Sequence, residues 1–322
     1  MSLQFIIGGS GSGKTRTLYE NLIRQSMEEP DGRFFALVPE QFTMQTQKEI
    51  VMLHPNHGVM NIDIVSFERL AYRVFEELAI ENLAVLDDMG KSLVLRKVAA
   101  ARKKNLRLFG SHLEQSGFIG ELKSMLSELF QYGISGETIR EMADSADSAM
   151  LRQKLSDMSE LYEGFREYTR ERFIAQEEIL DILCRVLPKS RLIRGSVVTL
   201  DGYTGFTPVQ YRLLELLLTC CRQVVVTVTM PPEENPYREK PIQNLFHMSS
   251  HTVCRLIDLA SGAGAGRDKD ILLTGPCRRF QNSPALSAIE RGLFRPWAGR
   301  FEGEQGDSLL LHEAENPIGE IQ

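Results

Sequence analysis

Eight consecutive residues near the start, Gly8-Gly9-Ser10-Gly11-Ser12-Gly13-Lys14-Thr15, fit the pattern G-x-x-x-x-G-K-[ST]. Small residues let the backbone wrap a phosphate with successive N–H groups turned inward, and the positive end of a following helix favours the anion. In that pattern Lys14 reaches the β- and γ-phosphates and Thr15 offers its hydroxyl to Mg²⁺. A glycine-rich turn that matches by chance is the alternative. An apolar strand pattern before the loop and an amphipathic helix pattern after it favour nucleotide binding. Hydrolysis needs more: a metal-side carboxylate after another strand, and a neighbouring carboxylate that orients the attacking water. Asp201, directly after the apolar run Ser196–Leu200, is the candidate for the first role and would share Mg²⁺ with Thr15. Its blander reading is an acceptor in a turn. Gly202 stands where the second carboxylate belongs, and it has no side chain. The expectation is that ATP and Mg²⁺ bind with little or no turnover.

These residues need a scaffold. Five short apolar segments, Leu3–Ile7, Phe34–Val38, Ile62–Ser66, Ser196–Leu200 and Val224–Thr229, are rich in Val, Ile and Phe and do not alternate with polar residues. Strands buried on both faces of a parallel sheet read this way. Helical patterns follow four of them, at Thr15–Ser26, Gln41–Leu53, Phe67–Leu78 and Pro208–Leu218. Strand–helix alternation predicts an α/β fold of right-handed βαβ units. From about Asp87 to Pro188 the pattern is helical throughout, with apolar faces such as Leu122, Met125, Leu126, Leu129 and Phe130, which predicts an inserted all-α subdomain. The run from Ala260 to Gly266 reads as a small-residue loop. Ser308–His312 reads as a strand, and Asn316-Pro317 as a helix start that the sequence leaves after one turn, as in a fragment of a longer protein.

Four segments occur in a telling order: Gly8–Thr15, Ala36-Leu37-Val38-Pro39-Glu40-Gln41-Phe42-Thr43, Ser66-Phe67-Glu68-Arg69-Leu70-Ala71-Tyr72-Arg73, and Leu200-Asp201-Gly202-Tyr203-Thr204-Gly205-Phe206-Thr207-Pro208-Val209-Gln210. Together they resemble the N-terminal portion of the AddB family, close to the RexB type, whose members belong to the bacterial AddAB ATP-dependent helicase/deoxyribonuclease. The resemblance implies a P-loop NTPase of the RecA-like, superfamily 1 helicase-like kind. Lobe 1A would take residues 1–86 and 190–305, the helical subdomain 1B residues 87–189, and the start of a second RecA-like lobe residues 306–322. It also implies a role in double-strand-break repair and recombination, as a hydrolase component that processes DNA ends and recognises Chi. An AddA-type helicase/nuclease subunit would complete the heterodimer, with single- and double-stranded DNA as the further partner. The family's nuclease domain and iron–sulfur cluster would lie beyond residue 322. By the same resemblance Gln41, Phe42, Ser66 and Phe67 correspond to helicase motifs that touch single-stranded DNA, where Phe42 or Phe67 would stack a base. Their alternative is a pair of core aromatics closing helices onto the sheet.

From Lys91 to Arg107 seven basic residues occur without an acidic one: Lys91, Arg96, Lys97, Arg102, Lys103, Lys104 and Arg107. Arg102, Lys103 and Lys104 are the candidates for a phosphate-backbone contact, against a solvated helix face. The whole chain carries 37 basic and 43 acidic side chains for a net charge of −6, which weighs against a simple nucleic-acid coating protein. A P-loop kinase of a small molecule or nucleoside is the competing function. Five cysteines without a C-x-x-C pair point to neither a disulfide framework nor a zinc ribbon, and no segment is long and apolar enough to predict a membrane span. Together these predict a cytoplasmic protein.

Overall fold

The computed structural model describes every residue except 81–83, 116, 171–172, 232, 276, 293–298, 304–307, 311 and 322. In β1 (Ser2–Gly8), Leu3, Phe5, Ile6 and Ile7 are all buried, which is the demand a central parallel strand makes on its sequence. The chain then runs through α1 (Lys14–Glu28), β2 (Phe34–Leu37), α2 (Thr43–Leu53), β3 (Ile62–Val65) and α3 (Phe67–Glu77). The helical insertion follows, opening on β4 (Val85–Leu86) and α4 (Asp88–Ala101). It continues through α5 (Phe118–Gln131), α6 (Gly136–Asp144) and α7 (Ala149–Thr169), and closes on β5 (Ile174–Ala175) and α8 (Ile179–Val186). After it come β6 (Val197–Leu200), α9 (Pro208–Cys220), β7 (Gln223–Thr229) and α10 (His247–Gly262). The strands of the main sheet pair in the order β3-β2-β6-β7-β1, every pair parallel. All five strands expected from the sequence are therefore in one sheet, an α/β arrangement consistent with a RecA-like P-loop lobe.

Two further short strands, β8 (Gly266–Arg267) and β9 (Ile271–Leu273), both pair with β1 and complete its outer edge. Between them the Asp270 carboxylate takes the place of a backbone partner, accepting from the Phe5 N–H at 2.9 Å. The stretch read as a small-residue loop is corrected here: α10 continues through Gly262, and only the few residues before β8 form a turn, with Gly264 at φ +67°.

Within the insertion β4 and β5 pair in parallel and so clasp its two ends together. Leu95, Leu122, Leu126, Leu161 and Phe165 belong to a core of its own, separate from the sheet's. Asp157 is buried there and accepts backbone N–H groups of Arg107, Leu108 and Phe109, which fixes the turn after α4. The sequence places α8 with the insertion, but Ile179 and Leu183 pack into the sheet core with α3 and α9.

Beyond β9 lie α11 (Pro284–Gly292) and α12 (Pro317–Ile321). Asn316 caps the latter, accepting the N–H groups of Ile318 and Gly319, as the Asn-Pro pair predicts. Of the strand expected at Ser308–His312, residue 311 lies outside the described residues, and the rest is not in a strand.

Candidate nucleotide site

The strand β1 ends at Gly8, the loop occupies Gly9–Gly13, and α1 starts at Lys14. Gly11 and Gly13 hold φ of +74° and +100°, conformations an L side chain resists, so the loop requires glycine at both places. A Cβ on Gly8 would lie 2.4 Å from Ser12 Oγ, which makes the third glycine a matter of space. The start of α1 has neither a side-chain cap nor an acidic residue in its first turn, which leaves its positive end open to an anion. Ser12 Oγ is buried and has no hydrogen-bond partner among the described residues. An oriented, unsatisfied hydroxyl inside a loop of this shape fits a phosphate oxygen.

Lys14 Nζ donates to the carbonyl oxygens of Gly8 at 3.0 Å and Gly9 at 2.8 Å. Burial pulls the lysine below its ordinary range, and the Arg279 charge pushes the same way, while Asp201 works against both. Thr15 Oγ1 donates to Asp201 Oδ2 at 2.8 Å. The other Asp201 oxygen accepts from Thr227 Oγ1 at 2.6 Å, and the Tyr19 hydroxyl reaches Oδ2 at 3.3 Å while sharing a bond with Thr46. Burial, with Asp201 second, raises the Tyr19 phenol far above its usual range, so it remains a neutral donor. These groups come together because β1, β7 and β6 are adjacent: Thr227 sits opposite Ile6 in register, and the Asp201 N–H continues the ladder to Leu37 O at 3.0 Å.

The loop and this carboxylate line one cleft of about 830 Å³, with Phe42 and Gly202 on its wall. Thr15 and Asp201 have the oxygen donors that suit a hard divalent cation, and the cleft has room for a phosphate chain beside them. Gly202 adopts φ +79° directly after Asp201. The residue type at this position is therefore tied to the backbone conformation as well as to chemistry.

Of the residues expected to touch DNA, Gln41 and Phe42 are exposed, and Phe42 stands at the cleft wall. Ser66 is buried and caps α3 through the Arg69 N–H. Phe67 is corrected: the residue is 4% exposed and its ring packs on Tyr203 and Phe206, with centroids 5.2 and 6.3 Å away. It closes α3 onto the sheet and offers no face to a base. The basic run is corrected as a continuous surface. Lys91 is buried against Glu177 at 2.6 Å, Arg102 is held by Glu160 and Glu167, and Lys103 pairs with Glu114. Lys104 is exposed and makes no ion pair with a described residue.

Sequence reading missed Tyr19, Thr46, Thr227 and Arg279. Thr227 left one trace: a hydroxyl inside the apolar run Val224–Val228 must find a partner when buried. Among the described residues no three His, Cys, Asp or Glu side chains group as a metal site, and no helix is long and apolar enough to cross a membrane.

Comparison with known proteins gives this geometry a lineage. The family model described as "ADDB, N-terminal" matches residues 5–290. The chain belongs to this family. The B subunit of an ATP-dependent helicase/deoxyribonuclease from Lachnoclostridium phytofermentans is 42% identical over 327 residues, covering 100% of this chain and 28% of that protein. Relatives of the same description from Desulforudis audaxviator and Desulforamulus reducens are 35% and 34% identical, covering 100% and 96% of this chain. This AddB-family chain spans 28%, 28% and 27% of these relatives' lengths.

Proposed function

We propose that the chain is the nucleotide-binding, helicase-like N-terminal part of an AddB-type helicase/deoxyribonuclease component that processes DNA ends in double-strand-break repair and recombination. It binds ATP with Mg²⁺ and turns it over slowly or not at all. The observation that carries this reading is the 2.8 Å bond from Thr15 Oγ1 to Asp201 Oδ2, which joins the phosphate loop to the metal-side carboxylate. Loop glycines fixed by φ, an uncapped helix start and the unpartnered Ser12 hydroxyl support the phosphate half of the reading. Gly202 supports slow turnover, because no side chain follows Asp201 to orient water. Lobe 1A, subdomain 1B and a second lobe beginning near residue 306 are the organisation that goes with this function. The relatives' description as one part of a helicase/deoxyribonuclease supports a complex in which an AddA-type partner is the motor. In that complex the assembly reads Chi on single-stranded DNA, and Gln41 and Phe42 remain the DNA-facing candidates. Family membership favours this over the kinase alternative.

The test is equilibrium titration of the full-length protein with ATP, with and without Mg²⁺, alongside phosphate release. Wild type should bind with a Mg²⁺ dependence that Lys14→Ala removes, and phosphate release should stay near background. No binding by wild type, or rapid release abolished by Lys14→Ala, overturns it.

A further inference from the structure

A second cation reaches the phosphate loop from the far end of the chain. The strand β9 pairs with Ile6–Gly8, and so delivers the residues that follow it to the loop. There Cys277 Sγ donates to Ser10 O at 3.0 Å and Arg279 Nη1 donates to Ser10 Oγ at 3.3 Å. The approach depends on Gly11, whose Cβ would come within 2.6 Å of Arg279 Cβ and 2.9 Å of Cys277 Sγ. Arg279 lines the same cleft as Lys14, Thr15 and Asp201. It is exposed and makes no ion pair with a described residue, so most of its five donors stay available. Lys14 opens α1 directly after the loop, near enough that the two positive charges repel. Glu290 lies 3.8 Å from where a Gly9 Cβ would be and attracts the Lys14 charge, but it does not line the cleft that holds the two cations.

Two cations face one phosphate cradle, and neither makes an ion pair with a described residue, although Asp201 lines the same cleft. We propose that Arg279 is a binding residue for the terminal phosphate of a nucleoside triphosphate, supplied in cis, so that the site distinguishes triphosphate from diphosphate. This rests on the nucleotide reading above and adds to it a specificity determinant outside the loop motif. A guanidinium presents a planar fork that takes two phosphate oxygens at once, and its charge is worth most where a diphosphate has no group to meet it. With Gly202 beside Asp201, the consequence is discrimination and retention of ATP and not acceleration of its hydrolysis.

The experiment uses the full-length protein and competes a fluorescent nucleotide with ATP or ADP, each with Mg²⁺. Wild type, Lys14→Ala, Arg279→Ala and Arg279→Lys are compared. Arg279→Ala should weaken ATP by roughly ten- to a hundredfold, the size of a lost charge-assisted pair, and ADP by less than about threefold. Arg279→Lys should fall between, and the melting temperature without nucleotide should match wild type for both, since a merely structural role would not select one nucleotide. Equal losses for ATP and ADP, or no loss for either, overturn the inference. If Lys14→Ala abolishes binding while Arg279→Ala binds both nucleotides as wild type does, only the role of Arg279 fails. If wild type binds neither, it falls together with the nucleotide reading.

Discussion

Replacing Gly202 by alanine tests whether the missing side chain beside Asp201 is held by the backbone. At φ +79° an L residue costs about 1–2 kcal/mol. The new Cβ would meet Pro39 Cδ at 3.4 Å and Phe42 Cδ2 at 3.8 Å, which is ordinary contact, so no clash adds to the strain. Alanine also restricts the unfolded chain, which offsets about 0.4–1 kcal/mol. The net loss is about 1 kcal/mol, or roughly 2–4 °C in melting temperature for a domain of this size. Gly195 is the matched control: it holds φ +75°, and nothing lies within 4 Å of its Cβ position. Gly195→Ala should lose the same stability and keep nucleotide affinity. Gly202→Ala should also weaken Mg²⁺-dependent ATP binding, because the strained turn positions Asp201. Gly202→Glu carries the same backbone strain and brings its Cβ against Pro39 and Phe42, so phosphate release should stay near background. Thermal melts and titrations of the three variants decide the matter. The reasoning is wrong if Gly202→Ala melts at or above wild type, or if Gly202→Glu hydrolyses ATP at a rate that Lys14→Ala removes.

Three other outcomes follow from buried or paired groups. Lys91 and Glu177 are 6% and 7% exposed and 2.6 Å apart, so Lys91→Met should cost about 3–5 kcal/mol by stranding the carboxylate, while adding Glu177→Leu should restore most of it in urea unfolding; equal losses in single and double variants would contradict this. Burial raises the Cys184 thiol to about 11 and that of Cys221 to about 12, so at pH 8 roughly one in a thousand and one in ten thousand are thiolate. Both should alkylate slowly below those values and faster as pH rises through them, and an early Cys221 adduct by mass spectrometry would refute the burial. Arg102→Glu should destabilise by about 1 kcal/mol in chemical unfolding by facing Glu160 and Glu167, whereas Lys104→Glu should leave stability unchanged and so is the cleaner probe of DNA affinity and its salt slope.

The strands β1, β2, β3, β6 and β7 were legible because burial in the sheet forces a largely apolar run, and sequence carries that signal locally. The edge strands β8 and β9 were not, since a pairing of two or three residues leaves no pattern and one rung is made by the Asp270 side chain. The same contrast divides the site. Gly8–Thr15 is contiguous, and Asp201 announces itself as the residue that ends an apolar strand. Tyr19 and Thr227 look like ordinary members of a helix and a strand until the sheet order brings them to Asp201. Phe67 was ambiguous for a related reason: its fate depends on Tyr203 and Phe206, which only folding brings near. The basic run misled because its acidic partners lie elsewhere in the chain, Glu160 and Glu167 on α7 and Glu177 just before α8.

That division bears on how binding and turnover can separate within one lobe. Lys14 and Thr15, at the start of α1, and Asp201, just after β6, are the charged and metal-side groups proposed to hold phosphate and Mg²⁺, and each makes hydrogen bonds that exist without a nucleotide. The position proposed to lack a water-orienting group is fixed by a dihedral angle instead. Replacing glycine there supplies a carboxylate only at the expense of the turn that aims Asp201. A nucleotide held between Lys14 and Arg279 would persist as a structural ligand, tying the β9 edge of the sheet to the loop that opens α1.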